Sequence, residues 1–188
     1  GSDYNSSDSD YATMGLAGAV SAGGSGVAPS SATVASCQGF FVQAKQTGNI
    51  TFSNSQRIAT NNTFLRSNKN NWERIWLGVE LEGKASNEIL LAFIPEAEEG
   101  KDLYDASKFS GNDFVSFYSI GDFAKSGEEK LAIQGLPSLI EDKVVPLGIE
   151  AKEAGEFVFS LNHLDNFPSD MQILLHDGEN NSLTDMRT

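Results

Sequence analysis

The clearest alternation of apolar and polar positions lies between Trp72 and Glu82. Aliphatic residues occupy every second position of this segment: Ile75, Leu77, Val79 and Leu81. A two-residue period is typical of a β-strand, whose successive side chains point to opposite faces of the sheet. We therefore predict a strand that buries the aliphatic residues and places Trp72, Arg74 and Trp76 on the other face.

Short apolar runs of strand length recur along most of the remaining chain. They predict strands at 40–44, 49–53, 87–94, 114–120, 130–134, 144–149, 156–161 and 171–176, with a further candidate at 182–186. Gly or Asp stands between most of them, and no amphipathic helix of useful length is apparent, which is typical of all-β domains. The loops are long and uneven, so we expect a Greek-key or jelly-roll β-sandwich rather than a barrel. The expected core residues are Phe40, Phe41, Ile75, Leu77, Val79, Phe93, Phe117, Ile133, Phe157 and Leu174.

The first 35 residues differ in character from the rest, because Gly, Ser, Ala and Asp dominate them. This composition predicts a flexible low-complexity N-terminal segment or a long loop over residues 1–35. Residues 36–188 would then form a single β-sandwich domain, which is long enough to bury a core of its own.

Charge and cysteine content exclude several classes of function. The formal net charge of −13 repels phosphate groups, so we expect neither nucleic acid nor anionic membranes as partners. No apolar run approaches the roughly 20 residues of a membrane span, so we expect no membrane insertion. Cys37 is the only cysteine, which excludes a disulfide within the chain, and the apolar residues after it favour an inert, buried thiol.

No pattern in the sequence indicates a catalytic centre. His163 and His176 are the only histidines, and neither lies in a recognisable serine or cysteine nucleophile motif. We therefore predict that the chain is not an enzyme.

Two binding hypotheses remain open. Trp72 and Trp76 on one strand face, with Arg74 beside them and Tyr104 as a further aromatic, could stack on sugar rings as carbohydrate-binding modules do. The alternative is that the strand is simply covered on both sides.

Calcium binding at an oxygen-rich loop is the second hypothesis, although such residues also stabilise turns. The candidate calcium ligands are Asp102, Asp105, Asn112 and Asp113.

A series of motifs in order along the chain carries a family resemblance. These are 9–13 (SDYAT), 35–44 (ASCQGFFVQA), 50–54 (ITFSN) with Arg57, 61–66 (NNTFLR), 74–77 (RIWL), 104–109 (YDASKF), 118–120 (YSI), 130–137 (KLAIQGLP), 144–148 (VVPLG), 155–164 (GEFVFSLNHL) and 173–177 (ILLHD). Together they resemble a β-sandwich module of Bacteroidota (flavobacterial-type) surface proteins, found ahead of the type IX secretion C-terminal sorting domain.

The resemblance implies a secreted or cell-surface location and a non-catalytic role in adhesion, surface attachment or structural spacing before the sorting signal. Its implied partners are the type IX secretion machinery or cell-surface components, reached through a parent protein. Glycans are the partners under the carbohydrate-binding alternative, which rests on Trp72 and Trp76 and not on the resemblance. The family usually begins earlier and continues past Arg187, so we expect this chain to be a fragment of a larger exported protein.

Overall fold

The computed structural model describes residues 11–21, 28–29, 33–34, 40–44, 47–58, 71–81, 85–109, 114–123, 127–140 and 142–188. The chain divides into two compact units. One comprises Gly1–Pro29 together with Asn70–Thr188, and the other is Ser30–Lys69.

The described residues of the larger unit form eleven strands. They are β1 (Thr13–Met14), β2 (Ala19–Val20), β3 (Glu73–Leu81), β4 (Ala85–Phe93), β5 (Ala106–Ser107), β6 (Val115–Phe123), β7 (Gly127–Leu136), β8 (Leu147–Ala151), β9 (Phe157–Asp165), β10 (Leu174–Asp177) and β11 (Ser182–Asp185). No α-helix is present in the part of the chain that the structure describes. The predicted all-β, sandwich-like fold is confirmed.

A seven-stranded sheet organises this unit. Its strand order is β8-β6-β7-β4-β3-β9, and the short β5 pairs with β7. The pairing is antiparallel except between β4 and β7, which run parallel with Leu90 opposite Ile133. Two further two-stranded sheets, β1–β2 and β10–β11, pack against it as hairpins.

The sheet buries apolar side chains on both faces. On the first face lies the cluster of Ile75, Leu77, Val79, Ala85, Ile89, Leu91, Phe93, Val115, Phe117 and Leu136. On the second face lies the cluster of Leu90, Ala92, Ile94, Ala97, Ala132 and Ile133 with Ala17 and Val20. The alternation predicted for β3 is confirmed, because its aliphatic residues are all buried.

The β1–β2 hairpin covers the second face of the sheet. Ala17 and Val20 are buried there, and Gly15 donates a backbone hydrogen bond to Gly18 at 2.9 Å. This hairpin lies inside the segment 1–35, so part of that segment is folded rather than flexible. The proposed boundary between residues 35 and 36 stays a prediction.

Two predicted strands are wrong. Residues 40–44 and 49–53 form no strand, and the expected core residues Phe40 and Phe41 are exposed. Regular structure in the described part of Ser30–Lys69 is limited to a 3-10 turn, Asn54–Gln56. Apolar content and alternation only show that a segment suits a strand, whereas the formation of a strand also depends on packing against its neighbours in a sheet.

The expected core residue Leu174 is also exposed, and Phe157 is only half-buried. Leu174 is 48% exposed and belongs to a four-residue strand that, among the described residues, pairs with β11 alone.

Candidate functional site

Three of the predicted ligand-binding residues lie together on the second face of the sheet. The rings of Trp72 and Tyr104 meet edge to face, with centroids 5.8 Å apart. The Arg74 guanidinium lies 5.4 Å from the centre of the Trp72 ring and forms an ion pair with Asp165 at 3.3 Å. The Arg74 guanidinium is therefore already engaged in a cation–π contact and an ion pair, and the Trp72 ring already contacts two neighbouring side chains.

Trp76, the fourth predicted residue, is held by its neighbours. Its indole N–H donates a 2.8 Å hydrogen bond to the carbonyl oxygen of Ala19, and its ring lies 5.1 Å from that of His163. The β1–β2 hairpin thus covers this part of the strand. This agrees with the alternative to a sugar-binding surface, in which the strand is covered on both sides. Carbohydrate binding by this face stays a prediction.

The acidic loop uses its carboxylates to fix its own backbone. Asp102 accepts hydrogen bonds from the amides of Glu98 and Tyr104, at 2.9 and 2.7 Å. Asp105 is buried and accepts from the amides of Asp102 and Gly135, at 2.9 and 3.0 Å. Each of the four oxygen atoms therefore has an amide partner, which is the role of a turn-stabilising aspartate.

Calcium binding in this loop stays a prediction. Asn112 and Asp113 lie outside the described residues. Within the described ranges, no group of three or more His, Cys, Asp or Glu side chains could hold a metal ion.

A large groove lies on the first face of the sheet, between the sheet and the β10–β11 hairpin. Its volume is about 1010 Å³. The sheet contributes Leu77, Phe93, Phe117 and Phe159 to its wall, and the hairpin region contributes Leu183 and Met186. Sequence alternation identified this inward face but not the groove. The groove exists because the hairpin is shorter than the strands of the sheet and covers only part of that face.

Two polar side chains of the groove lining contact residues outside it. Lys143 donates to both carboxylate oxygens of Glu99, at 2.7 and 2.9 Å, and His176 contacts the neutral side chain of Asn181 at 3.2 Å. An apolar wall of this size favours the burial of an apolar partner surface over the polar contacts of a charged ligand.

Comparison with protein families assigns the chain along its whole length. The family model described as "Domain of unknown function (DUF8693)" matches residues 1–188. The chain belongs to this family. No curated protein and no solved structure matches it.

In this DUF8693 chain, Glu88 connects the β1–β2 hairpin to the edge of the sheet. One carboxylate oxygen accepts from the Ser21 amide and hydroxyl, both at 3.0 Å. The other accepts from the Asn162 side-chain amide at 2.9 Å. All these donors are neutral, so the carboxylate adds negative charge beside β9.

The pKa values of Lys130, Glu150 and Asp177 are shifted by contacts at the exposed surface of the DUF8693 chain. A hydrogen bond from Lys130 lowers the pKa of Glu150, and the same contact raises the pKa of Lys130. The Asn180 side chain, followed by the amides of Glu179 and Asn180, lowers the pKa of Asp177 in the turn between β10 and β11. These shifts stabilise charged forms that already prevail at neutral pH, so they prepare no group for proton transfer.

The described residues of the DUF8693 chain include no helix long and apolar enough to span a membrane.

Proposed function

We propose that the DUF8693 chain is a non-catalytic attachment module of a secreted or cell-surface bacterial protein. It would serve adhesion, surface attachment or structural spacing before a sorting signal. The observation that carries this proposal is the apolar groove over the first face of the sheet. Burying apolar surface contributes about 25 cal/mol per Å², so such a wall can hold a partner without reacting with it.

The proposed occupant is an extended segment of a protein on the cell surface. The groove continues to the edge of the sheet, because Phe159 of the edge strand β9 forms part of its wall. An extended polypeptide offers alternate apolar side chains and a backbone that can follow such an edge. A glycan would instead need polar partners, and the groove wall contains mainly Leu, Ile, Phe and Met.

The resemblance to Bacteroidota surface-protein modules supports the location. It also supports the type IX secretion machinery or cell-surface components as partners, reached through the parent protein.

Attachment can be tested with the fluorescently labelled chain and intact cells of a bacterium that carries the type IX secretion system. We expect saturable binding that is lost when the cells are first treated with a protease and kept after periodate oxidation of their glycans. A labelled protein of equal size and net charge serves as the control. Equal binding of the control, or no saturable binding at all, would contradict the proposal.

The carbohydrate-binding alternative draws on one specific observation, the proximity of Trp72, Arg74 and Tyr104. A glycan array, run with calcium and again with a chelator, tests it. Binding that Trp72→Ala abolishes would support this alternative, and loss of cell binding after periodate would agree with it.

A further inference from the structure

We propose that the free edge of β9 binds an extended, basic polypeptide segment, which adds to the sheet as a further strand. This inference rests on the proposed attachment function, because it names the place and the chemistry of the partner. It concerns the first five residues of β9, Phe157 to Leu161.

The two edges of the sheet differ in how well they are protected. Strand β8 has five residues, follows Pro146, and carries Glu150 in an ion pair with Lys130. Short length, proline and charge are the usual means of blocking an edge. Strand β9 has nine residues and contains no lysine, arginine or proline. Among the described residues it pairs with β3 alone, so within that part of the chain no strand pairs with the alternate backbone groups along its outer side.

The regular part of β9 has one apolar and one polar side. Phe157, Phe159 and Leu161 are half-buried on the side of the groove, whereas Val158 and Ser160 are exposed on the other side. Beyond Leu161 the register with β3 shifts opposite Trp76, which marks a β-bulge. Bulges bend a strand and interrupt its pairing, so the edge suited to a partner ends there.

The exposed side of β9 is acidic. Glu80 is exposed and lies opposite Val158 in the register. Glu88 is joined to β9 through Asn162, and Glu156 is exposed directly before the strand. An added strand would therefore place its basic side chains above Val158 and its apolar side chains beside Phe159. A second copy of this chain suits the edge poorly, because each copy carries a net charge of −13.

The test uses an eight-residue peptide of alternating Lys and Val, with both ends blocked, and a Glu/Val peptide of the same pattern. We expect the Lys/Val peptide to bind and to protect the outward-facing amides among residues 157–161 from hydrogen exchange. The substitutions Val158→Lys and Val158→Glu add opposite charges at a position that is 54% exposed, the first opposing the acidic side chains around it and the second adding to them. The first should weaken binding by about tenfold and the second should strengthen it. Leu103→Lys adds the same charge at a residue that is 63% exposed and lies outside the sheet, and it should change the affinity by less than about twofold.

Three results would overturn the inference: equal affinity for the two peptides, protection at β8 instead of β9, or a change in the same direction for both Val158 variants. The attachment function and the β9 edge can be contradicted independently of each other. Cell binding that Val158→Lys leaves intact would keep attachment and reject the β9 edge. Peptide binding at β9 without cell binding would keep the edge and reject attachment.

Discussion

Two leucines on opposite faces of one sheet should differ in how much they stabilise the fold. Leu90 is 0% exposed and lies beneath the β1–β2 hairpin, where a Cβ atom added at Gly18 would come within 2.7 Å of its Cδ2 atom. Leu77 is 8% exposed and forms part of the groove wall. A Leu→Ala change in a core costs about 2–5 kcal/mol, and the cost rises with the volume of the cavity left behind.

The structure places the two substitutions at opposite ends of that range. The space left by Leu90→Ala is closed by the hairpin, so we expect a loss of about 4–5 kcal/mol in the free energy of unfolding. The space left by Leu77→Ala opens into the groove and adds little enclosed cavity, so we expect about 2–3 kcal/mol.

Guanidinium unfolding, followed by tryptophan fluorescence and by far-UV circular dichroism, measures the difference. Coincident transitions justify a two-state analysis, and an unchanged slope lets the midpoint report stability. An equal cost at both sites, or a larger cost at Leu77, would refute the claim that one face is closed and the other holds a groove.

Three further predictions follow from individual contacts. Trp76→Phe removes the hydrogen bond to Ala19 and should cost about 1 kcal/mol of unfolding free energy in the same assay, and an unchanged midpoint would contradict this role. Asp105→Ala leaves the amides of Asp102 and Gly135 unpaired and should cost about 1–3 kcal/mol, with or without calcium. If calcium raises the melting temperature of the wild type but not of this variant, Asp105 is a ligand after all. Because the pKa of Asp177 is lowered in the folded state, its contribution is present above the ordinary aspartate pKa and lost as pH falls through the lowered value. The melting temperature of Asp177→Asn should therefore lie below that of the wild type at neutral pH and converge with it in acid, and a gap that persists in acid would count against this reasoning.

The sequence pattern predicted most strands of the seven-stranded sheet, both inside it and at its edges. In β3 the alternation of aliphatic residues coincides with the buried face, because packing in the sheet selects the same period. The parallel pairing of β4 with β7 could not be predicted, since it joins segments about 40 positions apart that carry no local signal.

The errors at Phe40 and Leu174 have a physical cause in common. Phe40 and Leu174 are apolar, but burial depends on which strand or layer covers them, and apolar character alone does not provide it. The N-terminal hairpin was missed for the opposite reason. Small residues such as Ala17 and Gly18 are typical of flexible segments, yet their size lets the hairpin approach Leu90 closely. Trp72 and Arg74 were predicted to share a strand face and Tyr104 was added as a further aromatic, whereas only the structure shows that Trp72 contacts both of the others.

The central claim is that the groove attaches this module to a cell surface, and one pair of variants tests it directly. Leu183 is 65% exposed and forms part of the groove wall, whereas Leu103 is 63% exposed and lies outside it. Both tolerate a charge without burying it, so Leu183→Asp and Leu103→Asp should fold alike. The measurement is the binding of each labelled variant to intact cells. We expect the affinity of Leu183→Asp for the cells to be lower by about tenfold or more, because the charge would lie against the apolar partner. Leu103→Asp should bind like the wild type. Equal binding by the two variants would contradict it.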